Sequence, residues 1–485
     1  MILICKGHTY RYESEKICRI FFPEEKIIFS DEKPDGGDFV YTEIRQSGKS
    51  APFFFCRAEI ADKSAEYGFS AEPEAVNDEE RLLAKAAIRV LGEITGYRPP
   101  WGILTGVRPS KLMRSYIEQY GEEKAAERFS VFSEVAPEKT RLAQSVVSAQ
   151  KNAIALSRPD SYSLYVSIPF CPSRCSYCSF VSHSIAQAGR LVPEYLHLLC
   201  LEIEDTARRA KAEGLRLETV YIGGGTPTSL SAGQLKQLSD TLCRCFDISA
   251  AREFTVEAGR PDTIDKEKLL VLKNAGVTRI SINPQSFSDS VLNAVGRRHS
   301  AQDAAEKYLL ARELGFDNIN MDFIAGLPTD TPQSFDESIE KAVKLSPENI
   351  TVHTLALKRA ADMVTANNSG TVSRSTQKML ALAELELYPA GYHPYYMYRQ
   401  SKSVGNLENV GWCKSGKECL YNIYMMEELH SVLSVGAGAV TKLKAPHGAE
   451  IERIYNFKYP YEYISRFDEL LQRKNALHGF LAAHS

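Results

Sequence analysis

The chain has 485 residues, 44% hydrophobic and 25% charged, which is enough apolar material for two or three cores and gives no support for extended disorder. The 58 Lys and Arg against 61 Asp and Glu leave a formal net charge of -3, excluding a global basic field for nucleic acid or an anionic membrane, so an anionic ligand must be met by local cations. No apolar run is long enough to predict a membrane helix, the opening "MILICKGHTYRYES" has no basic leader or cleavage site, and the 11 scattered cysteines fit a reducing compartment; a cytoplasmic protein is expected.

Up to about residue 75, the runs "ICRIFF", "KIIFS", "FVYTEI" and "PFFFCRAEI" alternate with Gly, Pro and Asp breaks and predict a small sheet. From "NDEERLLAKAAIRVLGEITG" the period becomes helical, with Asn77 or Asp78 as cap and Gly96 as stop. A second helical stretch spans about Arg108 to Ser157, and the link "YRPPWGILTGVRPSKL" carries Trp101, Arg108 and Lys111.

After Pro159 the pattern becomes strand, loop, helix, repeated. Strands are predicted at 163–168, 217–222, 253–258, 279–283, 318–324 and 349–354, and helices around 191–213, 232–246, 265–275, 301–314 and 331–345. Each helix can return the chain to the same edge of the sheet, so the expected fold is α/β, a partial (β/α)6 barrel with an N-terminal α+β domain and a C-terminal α+β extension. The divisions fall at 1–157, 158–400 and 401–485. In the last part, "GAG" at 436–438 lacks a dinucleotide fingerprint and reads as close backbone packing.

Chemistry in such folds sits at the C-terminal ends of the strands. Cys171, Cys175 and Cys178, in "CPSRCSYC", follow the first of these strands. Three thiolates can hold three irons of a [4Fe-4S] cluster and leave one iron open; a closed zinc site wants a fourth ligand, and only His183 is near. The second strand ends in "YIGGGTPTSL", where glycines permit close backbone approach and Thr226 adds a hydroxyl. Glu257, Gln285 and Asp322 follow or end the next strands and suit an ammonium and ribose hydroxyls, while Arg297 and Arg298 can meet a carboxylate. Cys243 and Cys245 read as packing residues, and Cys5, Cys18, Cys56 and Cys200 as buried small side chains. Cys413 and Cys419 can pair or bind a metal, but two ligands cannot close a second cluster.

Taken together, "LYVSIPFCPSRCSYC", "YIGGGTPT", "EFTVEAGRPD", "RISINPQSF", "GRRH" and "DFIAGLP" resemble the radical S-adenosylmethionine (SAM) enzymes, above all the oxygen-independent coproporphyrinogen III oxidase branch. "PWGILTGVRPSKL", "VHTLALKRA", "PYYMYRQ" and "YNIYMMEE" extend the resemblance to the coproporphyrinogen dehydrogenase type known as HemZ; only the first 75 or so residues match weakly. The resemblance implies that Cys171, Cys175 and Cys178 bind the cluster and that Tyr165, Gly224, Gly225, Thr226 and Glu257 contact SAM. It also implies that Gln285, Arg297 and Asp322, with Tyr177, contact a second SAM. The implied activity is conversion of propionates of coproporphyrinogen III to vinyls, with a flavodoxin or ferredoxin as electron donor and no nucleic-acid or membrane partner, by a monomer. Lys358, Arg359, Arg399 and Lys402 are candidate cations for the substrate carboxylates.

Three departures stand out: Ser167 replaces the His of "YVHIPFC", Phe180 replaces a fourth Cys, and "EAGRPD" replaces "EANP". The missing fourth Cys is shared with the haem chaperone branch called HemW, whose "HNxxYW" stretch is here "YNIYMM". A haem-binding chaperone and a radical SAM enzyme with another substrate are therefore the alternatives.

Overall fold

The computed structural model describes residues 1–34, 36–47, 50–75, 78–178, 183–356, 370–400 and 403–484. Asn77, Phe180, Lys358, Arg359 and Lys402 lie outside the described residues. The chain forms two compact units, one of Met1–Val147, Thr365–Gln377 and Tyr398–Glu408, the other of Ser148–Val364, Lys378–Met397 and Asn409–Ser485.

In the first unit a sheet is built from β1 (Ile2–Lys6), β2 (Ile28–Ser30), β3 (Phe39–Ser47), β4 (Ser50–Ile60) and β5 (Lys63–Ser70), in the order β2-β1-β3-β4-β5. The run "ICRIFF" is not a strand; it closes a helix, Arg11–Phe21. Its buried residues are Ser14, Ile17 and Cys18, a spacing of three and four that one helix face satisfies and a strand would split between two faces. Asp78 opens the helix Asp78–Thr95, and its carboxylate accepts from the Ala75 N–H (3.0 Å) and is held by Arg128 (3.0 Å). The second helical stretch is divided into Pro109–Tyr120, Glu122–Glu127 and Pro137–Leu156. The chain returns to this unit at Tyr398–Glu408, where the buried Glu408 accepts from Trp101 Nε1 at 2.7 Å and pairs with Lys139 at 2.7 Å.

The second unit carries the six expected parallel strands: β6 (Ser161–Ile168), β9 (Arg216–Gly224), β10 (Glu253–Glu257), β11 (Arg279–Ser281), β12 (Ile319–Ala325) and β13 (Asn349–Thr354). Between β6 and β9 a two-strand bridge, β7 (Phe170–Cys171) with β8 (His183–Ser184), pins the ends of the cysteine loop. The connecting helices include Val192–Ala212, Ala232–Cys245, Lys266–Asn274, Ala301–Glu313 and Pro332–Leu345. Ser231, Ser300 and Thr331 each open their helix with a reciprocal capping box, so strand-to-helix turns are specified locally.

The sheet is open among the described residues. The remaining strands, β14 (His393–Arg399), β15 (Glu408–Cys413), β16 (Ser431–Val435), β17 (Val440–Lys444) and β18 (Ile451–Tyr455), continue it on both sides to the order β14-β15-β13-β12-β11-β10-β9-β6-β16-β17-β18. β16 runs parallel to β6, while β15 is antiparallel to β13. Gly436 follows β16, and its N–H donates to the buried carboxylate of Glu202 (2.7 Å), which also pairs with Lys474 (2.8 Å) and accepts from Tyr463 (2.6 Å). The "GAG" stretch thus packs backbone against Ser167 and Tyr195: Ser167 Oγ donates to the Ala437 carbonyl (2.8 Å) and the Ala437 N–H to Tyr195 (2.9 Å).

Candidate active site

Parallel strands covered by helices are buried on both faces, and here four of the six have a single exception. β6 is buried apart from Tyr165, β10 apart from Glu257, β12 apart from Asp322 and β13 apart from His353; in the middle of β9, Tyr221 is the half-buried residue. Tyr221 and His353 were not singled out from the sequence, since Tyr and His within a strand read equally well as core.

The five form a connected set. Tyr221 donates to Glu257 Oε1 at 2.6 Å, and Asp322 Oδ2 lies 3.7 Å from His353 Nε2 and accepts at Oδ1 from Asn320 Nδ2 at 2.7 Å. Burial drives the Glu257 carboxyl up to about 7, reinforced by the Asp322 charge, although Tyr221 and the Gly224 N–H favour its ionised form. Asp322 is held below the usual carboxylate range: burial pushes it up, but His353, Asn320 and Thr351 overcome that. The two acids are therefore pushed apart, one near neutrality and one firmly ionised.

Tyr165, Tyr221 and Tyr421 stack into an aromatic wall, with ring centroids 4.4 Å apart for Tyr221 and Tyr421 and 6.1 and 6.2 Å for Tyr165 with each. Tyr421 comes from the helix Leu420–Glu427, more than 250 positions from Tyr165; sequence spacing gives no hint of that meeting. Beside this wall, Gln285 adopts a left-handed backbone (φ 69°), with its N–H on the Asp322 carbonyl at 2.9 Å. Its buried Oε1 accepts no hydrogen bond among the described residues. A strained residue with an unpaired buried acceptor is arranged for a ligand donor.

The cysteine loop sits against the glycine turn. Gly225 N–H donates to the Ile168 carbonyl and Thr226 N–H to the Phe170 carbonyl, both at 2.8 Å, and Thr226 Oγ1 lies 3.5 Å from Cys171 Sγ. A Cβ on Gly225 would lie 2.6 Å from the Phe170 carbonyl oxygen and 3.0 Å from Cys171 Sγ, so the turn approaches the thiol only because that carbon is absent. Cys175 is buried; Cys171 and Cys178 are half-buried.

A residue that entered the sequence reading only as a departure proves central. Arg260, of "EAGRPD", is buried, donates from Nε and Nη2 to Asp262 (2.9 and 2.7 Å), and directs Nη1 at Ser173 Oγ (3.0 Å) and Cys175 Sγ (3.7 Å). A fixed cation beside the sulfurs complements the negative charge of a thiolate-held cluster. The three thiols, the glycine cradle and this cation fit a [4Fe-4S] group with one open iron.

Arg297 is buried, with its donors on Tyr177 OH (2.9 Å), the Asn283 carbonyl (2.8 Å) and the Gly259 carbonyl (3.2 Å). It therefore ties the cysteine loop to β10 and β11 chain ends, and Arg298 is exposed. Arg399 is also buried, donating to the Leu104 and Asn406 carbonyls (2.6 and 3.0 Å) over the Trp101 ring. Cys18, Cys56 and Cys200 are buried as expected, Cys5 is half-buried, and Cys243 is exposed rather than packed, because it faces outward near the end of its helix.

A family model described as the radical SAM superfamily matches residues 165–342. The oxygen-independent coproporphyrinogen-III oxidase-like protein HemZ of Bacillus subtilis (strain 168) is 39% identical over 486 residues, covering 95% of this chain and 94% of that protein. The heme chaperone HemW of the same organism is 36% identical over 279 residues, covering 57% of this chain and 70% of that protein. Among solved structures, the coproporphyrinogen III oxidase HemN from Escherichia coli, described as a radical SAM enzyme, aligns with a TM-score of 0.51 at 24% identity over 67% of this chain and 72% of that one, a likeness of fold.

Proposed function

The chain belongs to the oxygen-independent coproporphyrinogen III oxidase family of the radical SAM superfamily, and from that premise we propose that it oxidatively decarboxylates propionate side chains of coproporphyrinogen III to vinyls. Membership of the superfamily implies a [4Fe-4S] cluster and SAM. When bound, these supply one-electron cleavage of SAM and abstraction of a hydrogen atom from a substrate carbon. Each propionate carboxylate on becoming vinyl loses one hydrogen atom, CO2 and one electron, the electron passing to a separate one-electron acceptor.

The residues divide that work. Cys171, Cys175 and Cys178 hold the cluster, and Arg260 fixes their loop. Gly224, Gly225 and Thr226 offer main chain and hydroxyl to SAM, Glu257 takes its ammonium, and the wall of Tyr165, Tyr221 and Tyr421 keeps water from the reacting atoms. Gln285 and Asp322 offer an acceptor and an anion to a second polar ligand, with Arg297 orienting Tyr177 beside it. A flavodoxin or ferredoxin is the class of electron donor that such a cluster requires, and the tetrapyrrole is the only macrocyclic partner proposed.

The alternative is a haem chaperone, the role that gives the HemW relatives their name. The observation that favours the enzyme is the place of Tyr421. The segment "YNIYMM", which stands where the chaperone branch has "HNxxYW", supplies no histidine, and its tyrosine is buried in the wall beside Glu257.

Anaerobic incubation of the reconstituted protein with reductant, SAM and coproporphyrinogen III, followed by chromatography, tests the proposal. The expected result is 5'-deoxyadenosine together with protoporphyrinogen, both lost on Cys171→Ala. Deoxyadenosine without a changed porphyrinogen rejects the substrate; neither product, with stoichiometric haem binding, establishes the chaperone.

A further inference from the structure

His393 begins β14, Cys413 ends β15, and Glu418 follows after a short reversal. The reversal is written in "CKSGKEC": the Lys417 N–H donates to the Lys414 carbonyl at 3.1 Å, and Gly416, third in this turn, has φ 74°. That backbone angle favours glycine, whereas space does not demand it, since among the described residues nothing lies within 4 Å of an added Cβ. The turn carries Glu418 back toward the end of β15, and the Gly416 N–H reaches Glu418 Oε1 at 3.4 Å.

Three metal-ligating atoms from three segments thereby converge. His393 Nε2 lies 3.1 Å from Glu418 Oε1 and 3.4 Å from Cys413 Sγ, and all three donor atoms lie within 4.8 Å of one another. Zinc binds imidazole nitrogen and carboxylate oxygen at about 2.0 Å and thiolate at about 2.3 Å, so tetrahedral ligands stand about 3.3 Å (N to O) and about 3.5 Å (N to S) apart. The observed spacings are within a few tenths of an ångström of these.

Hydrogen bonding joins the three only in pairs, His393 with Glu418 and the Cys413 thiol with Glu418. One imidazole nitrogen carries either one hydrogen or one lone pair; it serves the carboxylate or the thiol as an ordinary bond, not both. A cation uses all three, and a thiolate with a carboxylate neutralises a dication. Cys413 is fully buried, while the side chains of His393 and Glu418 are 32% and 22% exposed, leaving an approach for an ion and a water ligand. Cys419 stands apart, its thiol donating to Glu253 Oε1 at 3.2 Å.

We propose that His393, Cys413 and Glu418 form a zinc site with its fourth position open to water, clamping the ends of β14 and β15. It shares no residue with the cluster loop and holds whether or not the substrate assigned above is correct.

Cluster-loaded, full-length protein is titrated with zinc against a competing chelator, with zinc and iron both quantified. The expected result is about one zinc per chain, at least tenfold weaker binding in Glu418→Gln and Cys413→Ser, and unchanged iron. Cobalt(II) in place of zinc gives a thiolate-to-cobalt charge-transfer band that Cys413→Ser loses. Glu418→Gln, at a partly exposed position, guards against misfolding of the buried variant, and its far-ultraviolet circular dichroism should match the parent. No retained zinc, no such band, or equal affinity in a folded Glu418→Gln protein would overturn the proposal.

Discussion

Glu257 is the residue on which the site's charge balance turns. Facing it are Tyr221, Asp322 and His353, and its carboxyl, lifted to about 7 mainly by burial, is near half protonation at neutral pH. Its folded value is raised, so the native state holds an extra proton between the unfolded value and about 7; the stability this gives the ligand-free protein is lost as pH rises through that window and changes no further above it. A bound ammonium reverses the preference by pairing with the carboxylate. SAM affinity should therefore rise with pH, about tenfold from pH 6 to pH 8, following the ionised fraction of a group near 7. Equilibrium dialysis at the two pH values measures this. In Glu257→Gln the pH dependence should vanish and affinity should fall at least to the low-pH level of the parent; an unchanged slope in that variant would remove Glu257 from the ammonium site.

Between elements, Arg260 joins the turn after β10 to the cysteine loop. Its fork is split between Asp262 and the Ser173 and Cys175 side of the loop, a use that needs both the charge and the planar geometry. Arg260→Gln should release iron to a chelator roughly tenfold faster, equivalent to about 1.4 kcal/mol, and shift the cluster potential negative. Arg260→Lys should restore much of the potential but little of the release rate, which separates charge from geometry. The order of strands and helices was legible because a period of two changes to one of three or four at each capped turn, as at Ser231 and Ser300. The cysteines and glycines were legible because each lies within one loop. Arg260, Tyr221 and Tyr421 were not, since their meaning rests on distances across 85, 36 and more than 150 positions. The helix Arg11–Phe21 was misread because its apolar end, "ICRIFF", is too short for periodicity to choose between strand and helix.

At the scale of the whole molecule, the first unit is not made of one stretch of chain. The sequence places an N-terminal α+β domain at 1–157; the compact unit comprises Met1–Val147 together with Thr365–Gln377 and Tyr398–Glu408. Two charged side chains in that segment are buried on partners near the N-terminus. Arg399 gives its hydrogen bonds to the carbonyls of Leu104 and Asn406, and its backbone N–H donates to the Val107 carbonyl at 2.7 Å. Glu408 is neutralised by Lys139 and accepts from Trp101. Removing residues 1–157 would take Trp101 and Lys139 from Glu408 and the Leu104 and Val107 carbonyls from Arg399, leaving Arg399 the Asn406 carbonyl; a charge that stays buried without its partner costs about 3–5 kcal/mol, comparable with the whole stability of many domains. A fragment of 158–485 should therefore be aggregated or partly unfolded and retain little cluster, while co-expression with 1–157 should restore soluble protein with its iron. Size-exclusion chromatography and iron analysis of the two preparations decide it. If the lone fragment is monomeric and binds a full cluster, then Arg399 and Glu408 find other partners and the N-terminal unit is dispensable to the fold. If it is not, Arg399 and Glu408 need the partners supplied by Trp101, Leu104, Val107 and Lys139.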